Sequence, residues 1–491
     1  MSTTADVPRS PVPVVAGIDV ATAAVRVVCA DARGRVLAQG RAPLPQPVRG
    51  AGGHSEQDAR AWWPAAATAL RQATAELPGG GREVVAVAVS ATSGTLVVTD
   101  TDGEPVGPAL MYDDRRAADL NAKAQELGAR RWRALGLTVG PTAALGKLVL
   151  CASRALPGRL VLHTPDLLGL RLTGHPVATD WSHALKTGYD PLAGEWATEV
   201  FDAFDVPGRL LPAVQAPGTK VGTVSAAASA ETGLPVGCRV RLGMTDGCAG
   251  QIATGAVRPG QFVGVLGTTY VLKGVTRELV TDPAGALYSH RHPDGWWLPG
   301  GASNTGGEAL ADIDPARLPG LDAAADARGP ASYLNYPLRR EGERFPFVRG
   351  DARGFVVGAP RDEADEHRAA LEGVAFLERL ALERVQALGV EVTGPLHAAG
   401  GGSRSALWTR IRATVLGRQL RVAERAETAF GAALLAAAGT LHADLSASAA
   451  AMTSPGRVVD PVEGERAALD ESYGRFVARL RARGWLDDWD A

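Results

Sequence analysis

The chain repeatedly ends a buried apolar run in an acid or in glycines. Val14 to Asp19 is continuous apolar sequence closed by an aspartate and by the small residues Val20-Ala-Thr-Ala23. Asp246 stands the same way in Gly243-Met-Thr-Asp-Gly247, and Ala398-Ala-Gly-Gly-Gly-Ser403 closes a third such run. An acid at the mouth of a strand, beside residues small enough for backbone to approach a ligand, suits phosphate or metal chemistry. Three such places far apart in sequence imply a nucleotide site assembled from distant segments.

The intervening pattern is α/β. Val25 to Ala30 is a second apolar run, Asp31-Ala-Arg-Gly34 a turn, and Arg35-Val-Leu-Ala38 a return strand, which together predict a β-hairpin opening a mixed sheet. Residues 56–76 carry helical periodicity through Trp63, Ala67 and Leu70, and Val84 to Val89 is another buried strand, ending at Ser90-Ala-Thr-Ser-Gly94. The pattern returns at Phe262 to Leu266, Gly267-Thr-Thr269 and Tyr270 to Lys273. An internal duplication would produce this, as would the hairpins of any α/β chain. A helix is expected from Arg368 to Leu388, a strand from Pro395 to Ala399, and a C-terminal helix with the stripe Leu469, Tyr473, Phe476 and Leu480.

A length of 491 residues exceeds what one core supports and predicts two domains with a ligand-binding cleft between them. The break falls near Gly255 and Arg258-Pro-Gly260, which gives domains over residues 13–255 and 256–491 and a disordered extension over residues 1–12. A formal net charge of -2 supplies no basic field for nucleic acid or an anionic membrane. The four cysteines are scattered without Cys-x-x-Cys spacing, and no apolar run has membrane-spanning length. A cytoplasmic protein acting on small molecules is the expectation. Gly140-Pro-Thr-Ala-Ala-Leu-Gly146-Lys147 has one residue too many for a Walker motif and is followed by Leu148, and no Gly-x-Gly-x-x-Gly follows the first strand. Phosphates, if bound, must be held by the hairpins. Lys147 then reads as an interdomain or surface lysine, and His290 and His292 as ordinary sheet or loop histidines.

The ordered motifs resemble the FGGY carbohydrate kinases, which share the actin and hexokinase (ribonuclease H-like) ATPase fold. Gly17-Ile-Asp-Val-Ala-Thr22 resembles the first phosphate hairpin, Glu56-Gln-Asp58 with Trp62-Trp63 the early acidic and tryptophan segment, and Tyr112-Asp-Asp-Arg-Arg116 the aromatic-x-Asp-x-Arg segment. Gly243-Met-Thr-Asp-Gly247 resembles the catalytic aspartate loop and Leu266-Gly-Thr-Thr269 the second phosphate hairpin. Ala399-Gly-Gly-Gly-Ser403 with Trp408 resembles the adenosine motif, followed by the helix start Glu427-Thr-Ala-Phe-Gly-Ala432. Within the family, Ala91-Thr-Ser-Gly-Thr95, Asp180-Trp-Ser-His-Ala-Leu-Lys186, Gly300-Gly-Ala-Ser-Asn-Thr-Gly306 and Gly342-Glu-Arg-Phe-Pro346 resemble the D-ribulokinase-like branch. Xylulokinases carry Met-His where this chain has Thr92-Ser93.

The resemblance implies two ATPase domains with an interdomain cleft, ATP and Mg²⁺ as cofactors, and a monomer or homodimer. It implies transfer of a phosphoryl group to a primary hydroxyl of a ketopentose, D-ribulose first, with D-xylulose or another polyol as the alternative. Asp246 would be the catalytic base and, with Asp19, would face Mg²⁺ and the substrate. Thr22, Gly267, Thr268 and Thr269 would hold phosphates, Gly401, Gly402, Ser405 and Trp408 the adenosine, and Ser93 and Asp114 the sugar hydroxyls. The chain departs from the family at Ala21 and Ala23, where glycine and a hydroxyl residue are usual, and at Ser90-Ala91, where the related branch has Asp-Gly. These departures leave a sugar- or nucleotide-binding protein without turnover as the alternative from another class.

Overall fold

The computed structural model describes residues 12–153 and 159–486. The predicted extension therefore lies, apart from Val12, outside the described residues. The described residues form two compact units, one drawn from residues 12–129, 139–253 and 427–453, the other from residues 130–138, 254–426 and 454–486.

The first unit is built on a six-stranded sheet. Its strands are β1 (Val14–Val20), β2 (Ala24–Asp31), β3 (Val36–Pro43), β4 (Val84–Ala91), β5 (Lys220–Thr223) and β6 (Arg239–Thr245), in the order β5-β6-β4-β1-β2-β3. The hairpin strands β1, β2 and β3 are antiparallel, whereas β4 runs parallel to both β1 and β6. β1 is buried along its whole length, as its unbroken apolar run requires. The helix Trp62–Glu76 packs on β3, so closely that a Cβ on Gly40 would stand 1.8 Å from the Ala69 carbonyl oxygen. It starts later than its periodicity predicts, because Ser55–Gln57 is drawn into a separate five-stranded sheet.

Packing crosses the expected break at residue 255. The helix Thr428–Ala437 packs against β1 in the first unit, where Gly17 leaves only 1.9 Å between a notional Cβ and the Ala429 carbonyl oxygen. All ten of its residues except Thr428 are buried, so it needs apolar surface on every side and finds it on this sheet and on the helices Asp246–Ala253 and Leu445–Met452.

The second unit holds β7 (Phe262–Leu266), β8 (Tyr270–Gly274), β9 (Tyr288–Arg291), β10 (Trp297–Ala302), β11 (Leu396–Ala399), β12 (Leu420–Val422) and β13 (Arg457–Val459). Their order is β9-β10-β8-β7-β11-β12-β13. Six of these strands repeat the connection of the first sheet: an antiparallel hairpin extended on one side, two parallel strands on the other, and an antiparallel edge. The duplication that two hairpins alone left open is written in this topology. The long helix Glu363–Ala387 begins five residues before its expected start, capped by Asp362 accepting from the Asp365 N–H. It joins Leu371, Val374 and Leu377 to the core of the second sheet.

Candidate active site

The carboxyl ends of β1, β4 and β6 meet at one edge of the first sheet. Asp19 pairs in register with Ser90, Val20 with Ala91, and Thr245 with Ala91. Parallel strands thus deliver Asp19, the Thr92–Ser93 loop and Asp246 to the same edge, the end of an α/β sheet at which ligands bind. Gly243 permits this approach, since a Cβ there would lie 2.0 Å from the Val89 carbonyl oxygen.

Asp246 opens the helix Asp246–Ala253 and is half-buried. Its Oδ1 accepts the Gly247 N–H at 2.7 Å, and its carbonyl accepts the Thr428 hydroxyl at 3.4 Å. The first contact holds the carboxylate through Oδ1. Asp19 is buried and ion-paired with Arg26 at 3.0 Å. Burial pushes its carboxyl up to about 6; Arg26 pulls against this and the nearby charge of Asp246 adds to it. Ser93 carries a buried hydroxyl oxygen with no hydrogen-bond partner among the described residues, which suits a group that meets a polar ligand. Thr22 is half-buried in the β1–β2 turn, and its carbonyl accepts from the Gln57 side chain at 2.8 Å.

Asp114 is not placed as its expected sugar role requires. It is fully buried and accepts the Ser55 N–H at 2.8 Å and the Arg116 guanidinium at 2.8 Å. Burial opposes its ionisation, but these bonds hold the carboxyl below its ordinary value. Arg116 reaches on to Glu56 at 2.7 Å, so Asp114 shapes the loop and does not face out of it. Lys147 is neither a surface nor an interdomain residue. It is wholly buried within the first unit and donates to the carbonyls of Gly94 at 2.9 Å, Met111 at 2.7 Å and Tyr112 at 3.1 Å.

The nucleotide-side candidates belong to the second unit. Thr268 is exposed and Thr269 half-exposed in the β7–β8 turn, while the Gly267 N–H is already donated to the Thr269 carbonyl at 3.1 Å. In the glycine run, Gly401 faces open space, with nothing nearer a notional Cβ than Arg404 at 3.5 Å. Gly402 is needed for packing, because a Cβ there would meet Leu266 at 2.5 Å. Ser405 caps the helix Ala406–Leu416, accepting the Trp408 N–H at 3.0 Å, and donates to Asp322 at 2.7 Å. Trp408 is a core residue with its indole N–H on the Leu371 carbonyl at 3.0 Å, not a wall for adenosine. The motif marked the helix start correctly, but its two most chemical side chains are engaged in building it.

The FGGY family of carbohydrate kinases, N-terminal domain, matches residues 14–253, and the family's C-terminal domain matches residues 261–440. The chain belongs to the FGGY family of carbohydrate kinases. It is an ATP-dependent sugar kinase, a phosphotransferase of two α/β domains. A xylulose kinase of Streptomyces rubiginosus is 33% identical over 489 residues, covering 96% of this chain and 98% of that protein. An erythritol kinase of Brucella abortus is 29% identical over 461 residues, covering 86% of this chain and 87% of that one. The crystal structure of xylulose kinase from Rhodospirillum rubrum superposes with a TM-score of 0.84 at 25% identity, over 96% of this chain and 98% of that chain. The named relatives are mostly xylulose kinases, so the leaning towards the D-ribulokinase-like branch is not supported beyond the family itself.

The FGGY kinase's donor set fits a nucleotide-borne Mg²⁺. Among the described residues no cluster of three or more His, Cys, Asp or Glu could hold a metal ion, but Asp19 and Asp246 lie near enough for one charge to act on the other. Two carboxylates without a cage suit a cation that keeps several waters and rides on phosphates. None of the helices among the described residues is long and apolar enough to cross a membrane.

Two sets of residues escaped the sequence reading. Glu343 accepts from the hydroxyls of Ser303, Thr305 and Tyr336, each at 2.9 Å, and so fixes the loop that braces the Gly267-Thr-Thr269 turn. Gly307 donates to the Gly267 carbonyl at 2.9 Å and Glu308 to that of Thr268 at 2.9 Å. Arg412, fully buried against Glu378, donates to the Gly264 carbonyl at 3.3 Å and to the Ser403 hydroxyl at 3.1 Å, and so joins β7 to the glycine run. Glu343 lies within Gly342-Glu-Arg-Phe-Pro346, a motif that gives no hint of this role. Arg412 carried no signal beyond its place among the buried, mostly apolar residues of its helix.

Proposed function

We propose that this kinase phosphorylates the terminal primary hydroxyl of a ketopentose, with D-xylulose as the substrate. The reaction rests on one observation: three parallel strand ends bring Asp19, Ser93 and the half-exposed Asp246 to a single sheet edge. The choice of sugar rests on the chain-length likeness to xylulose kinases. In this reading Asp246 aims the sugar hydroxyl and takes its proton as the oxygen bonds to the γ-phosphorus and the bond to the departing ADP breaks. Ser93 offers its hydroxyl to the sugar, which penalises an isomer that leaves that group unpaired. Thr22, Thr268 and Thr269 hold phosphate oxygens, and Gly401 leaves room for the nucleoside. Mg²⁺, when bound with ATP near Asp19, neutralises phosphate charge.

D-Ribulose is a second reading, favoured by Thr92-Ser93 at the position where xylulokinases carry a bulkier pair. A coupled ADP-release assay over D-xylulose, D-ribulose, L-ribulose, erythritol, xylitol and glycerol separates the two. The expected outcome is the highest kcat/KM on D-xylulose, abolished in Asp246→Asn. Preference for D-ribulose would overturn the sugar assignment alone, and full turnover in Asp246→Asn would overturn the base.

A further inference from the structure

Beneath the β6–Asp246 junction lies a buried polar chain that the reaction does not touch. Asp180 caps the short helix Trp181–Leu185; Asp180, Ser182 and His183 are all essentially inaccessible. The Asp180 Oδ1 accepts the Ser182 hydroxyl at 2.5 Å and the Ser182 N–H at 2.8 Å, and its Oδ2 meets the His183 Nδ1 at 2.6 Å. The Ser182 hydroxyl oxygen in turn accepts the Thr245 N–H at 2.9 Å. Thr245 is the residue immediately before Asp246.

The polarity of this chain is determined by chemistry. An ionised carboxylate only accepts, so Ser182 must donate its proton to Asp180, which leaves its lone pairs for Thr245. Complete burial would raise the Asp180 carboxyl, yet the facing His183 and the Ser182 bonds keep it below its ordinary value. Thr245 needs such a partner because β6 slips register between Leu242 and Thr245, where the ladder is interrupted before the helix begins. The peptide that delivers Asp246 is thus oriented by a side chain and not by the sheet alone. His183 serves through Nδ1; its Nε2 is buried with no partner among the described residues.

We propose that Asp180, Ser182 and His183 are positioning residues for Asp246, acting through the Thr245 N–H. The inference deepens the assignment of Asp246 as base and depends on it. A displaced base costs rate, and misplacement on the order of 1 Å is associated with losses of roughly 10²-fold. Ser182→Ala, which removes the acceptor, is expected to lower kcat by about that factor with the KM for Mg-ATP unchanged. His183→Leu, which removes the donor to Asp180, should lower kcat in the same direction. His183→Asn, whose amide N–H can stand where Nδ1 does, should restore most of it.

The test is steady-state kinetics on the full chain, with thermal midpoints measured beside each variant. Loss of kcat in Ser182→Ala and His183→Leu with recovery in His183→Asn supports the inference. Wild-type kcat in Ser182→Ala and His183→Leu, or equal loss in His183→Leu and His183→Asn that follows the thermal midpoint, overturns it in favour of a purely structural cluster. Asp246→Asn run in parallel keeps the two claims apart: full turnover there removes the base, whatever the other variants do.

Discussion

Lys147 shows most sharply what a side chain's burial adds to its sequence. Burial pushes its ammonium down to about 8 from an ordinary 10.5, with the charges of Asp114 and Asp113 pulling the other way. Between those values the unfolded chain binds more protons than the folded one, so stability rises with pH across that window, and the full penalty stands below pH 8. A shift of this size corresponds to about 3 kcal/mol. Lys147→Met removes the titration but strands three carbonyls, so its stability relative to wild type should fall by up to about 3 kcal/mol from neutral pH to about pH 10. Urea unfolding at several pH values measures this; a pH-independent difference would show that Lys147 titrates alike in both states. The same comparison explains which candidates were legible in sequence. Asp19 and Asp246 stood out because an acid closing an apolar strand has few structural reasons to be there, and the structure brings both to one end of the sheet. The engagement of Asp114, Ser405 and Trp408 was not readable, because a motif names a polar atom without saying whether Arg116, Asp322 or Leu371 already holds it.

Strands and helices here meet through glycines, and these contacts decide which element can lie on which. Gly17 brings β1 against the helix Thr428–Ala437, with the Ala429 carbonyl oxygen at 1.9 Å and the Ala433 nitrogen at 2.4 Å from a notional Cβ. Both neighbours are backbone, so neither can move aside cheaply. Gly17→Ala is expected to destabilise by about 1–3 kcal/mol or more, read as a lowered thermal midpoint. Gly474 is the contrasting case: it is exposed inside the helix Glu463–Ala482, with nothing within 4 Å of a notional Cβ. Gly474→Ala should stabilise by roughly 0.5–1 kcal/mol, since only helix propensity changes. Equal effects from the two substitutions would mean that close packing at Gly17 does not limit the fold. Element positions were largely readable, because period-2 and period-3.6 patterns are local. The displaced starts at Trp62 and Glu363 were less so: strand pairing claimed Ser55–Gln57, and the Asp362 cap extended the long helix.

At the level of the whole chain, sequence order and spatial order part company. The family's C-terminal profile runs over residues 261–440, yet residues 427–453 pack with the first unit. A boundary drawn from Gly and Pro breaks registers where one sheet ends, not that a later helix returns to cover it. Residues 14–253 expressed alone would leave the β1 face that receives Thr428–Ala437 open to water, an exposed apolar surface of the kind that drives aggregation. That fragment is expected to aggregate or to unfold without a cooperative transition. Joining residues 427–453 to it through a flexible Gly/Ser linker should restore the missing layer and a single sigmoidal unfolding curve. If the shorter fragment instead unfolds cooperatively with the same midpoint as the joined one, the helix contributes nothing to the first sheet's stability. The close approach at Gly17 would then be incidental packing, and the duplicated sheets would each be self-sufficient within their own contiguous half of the chain.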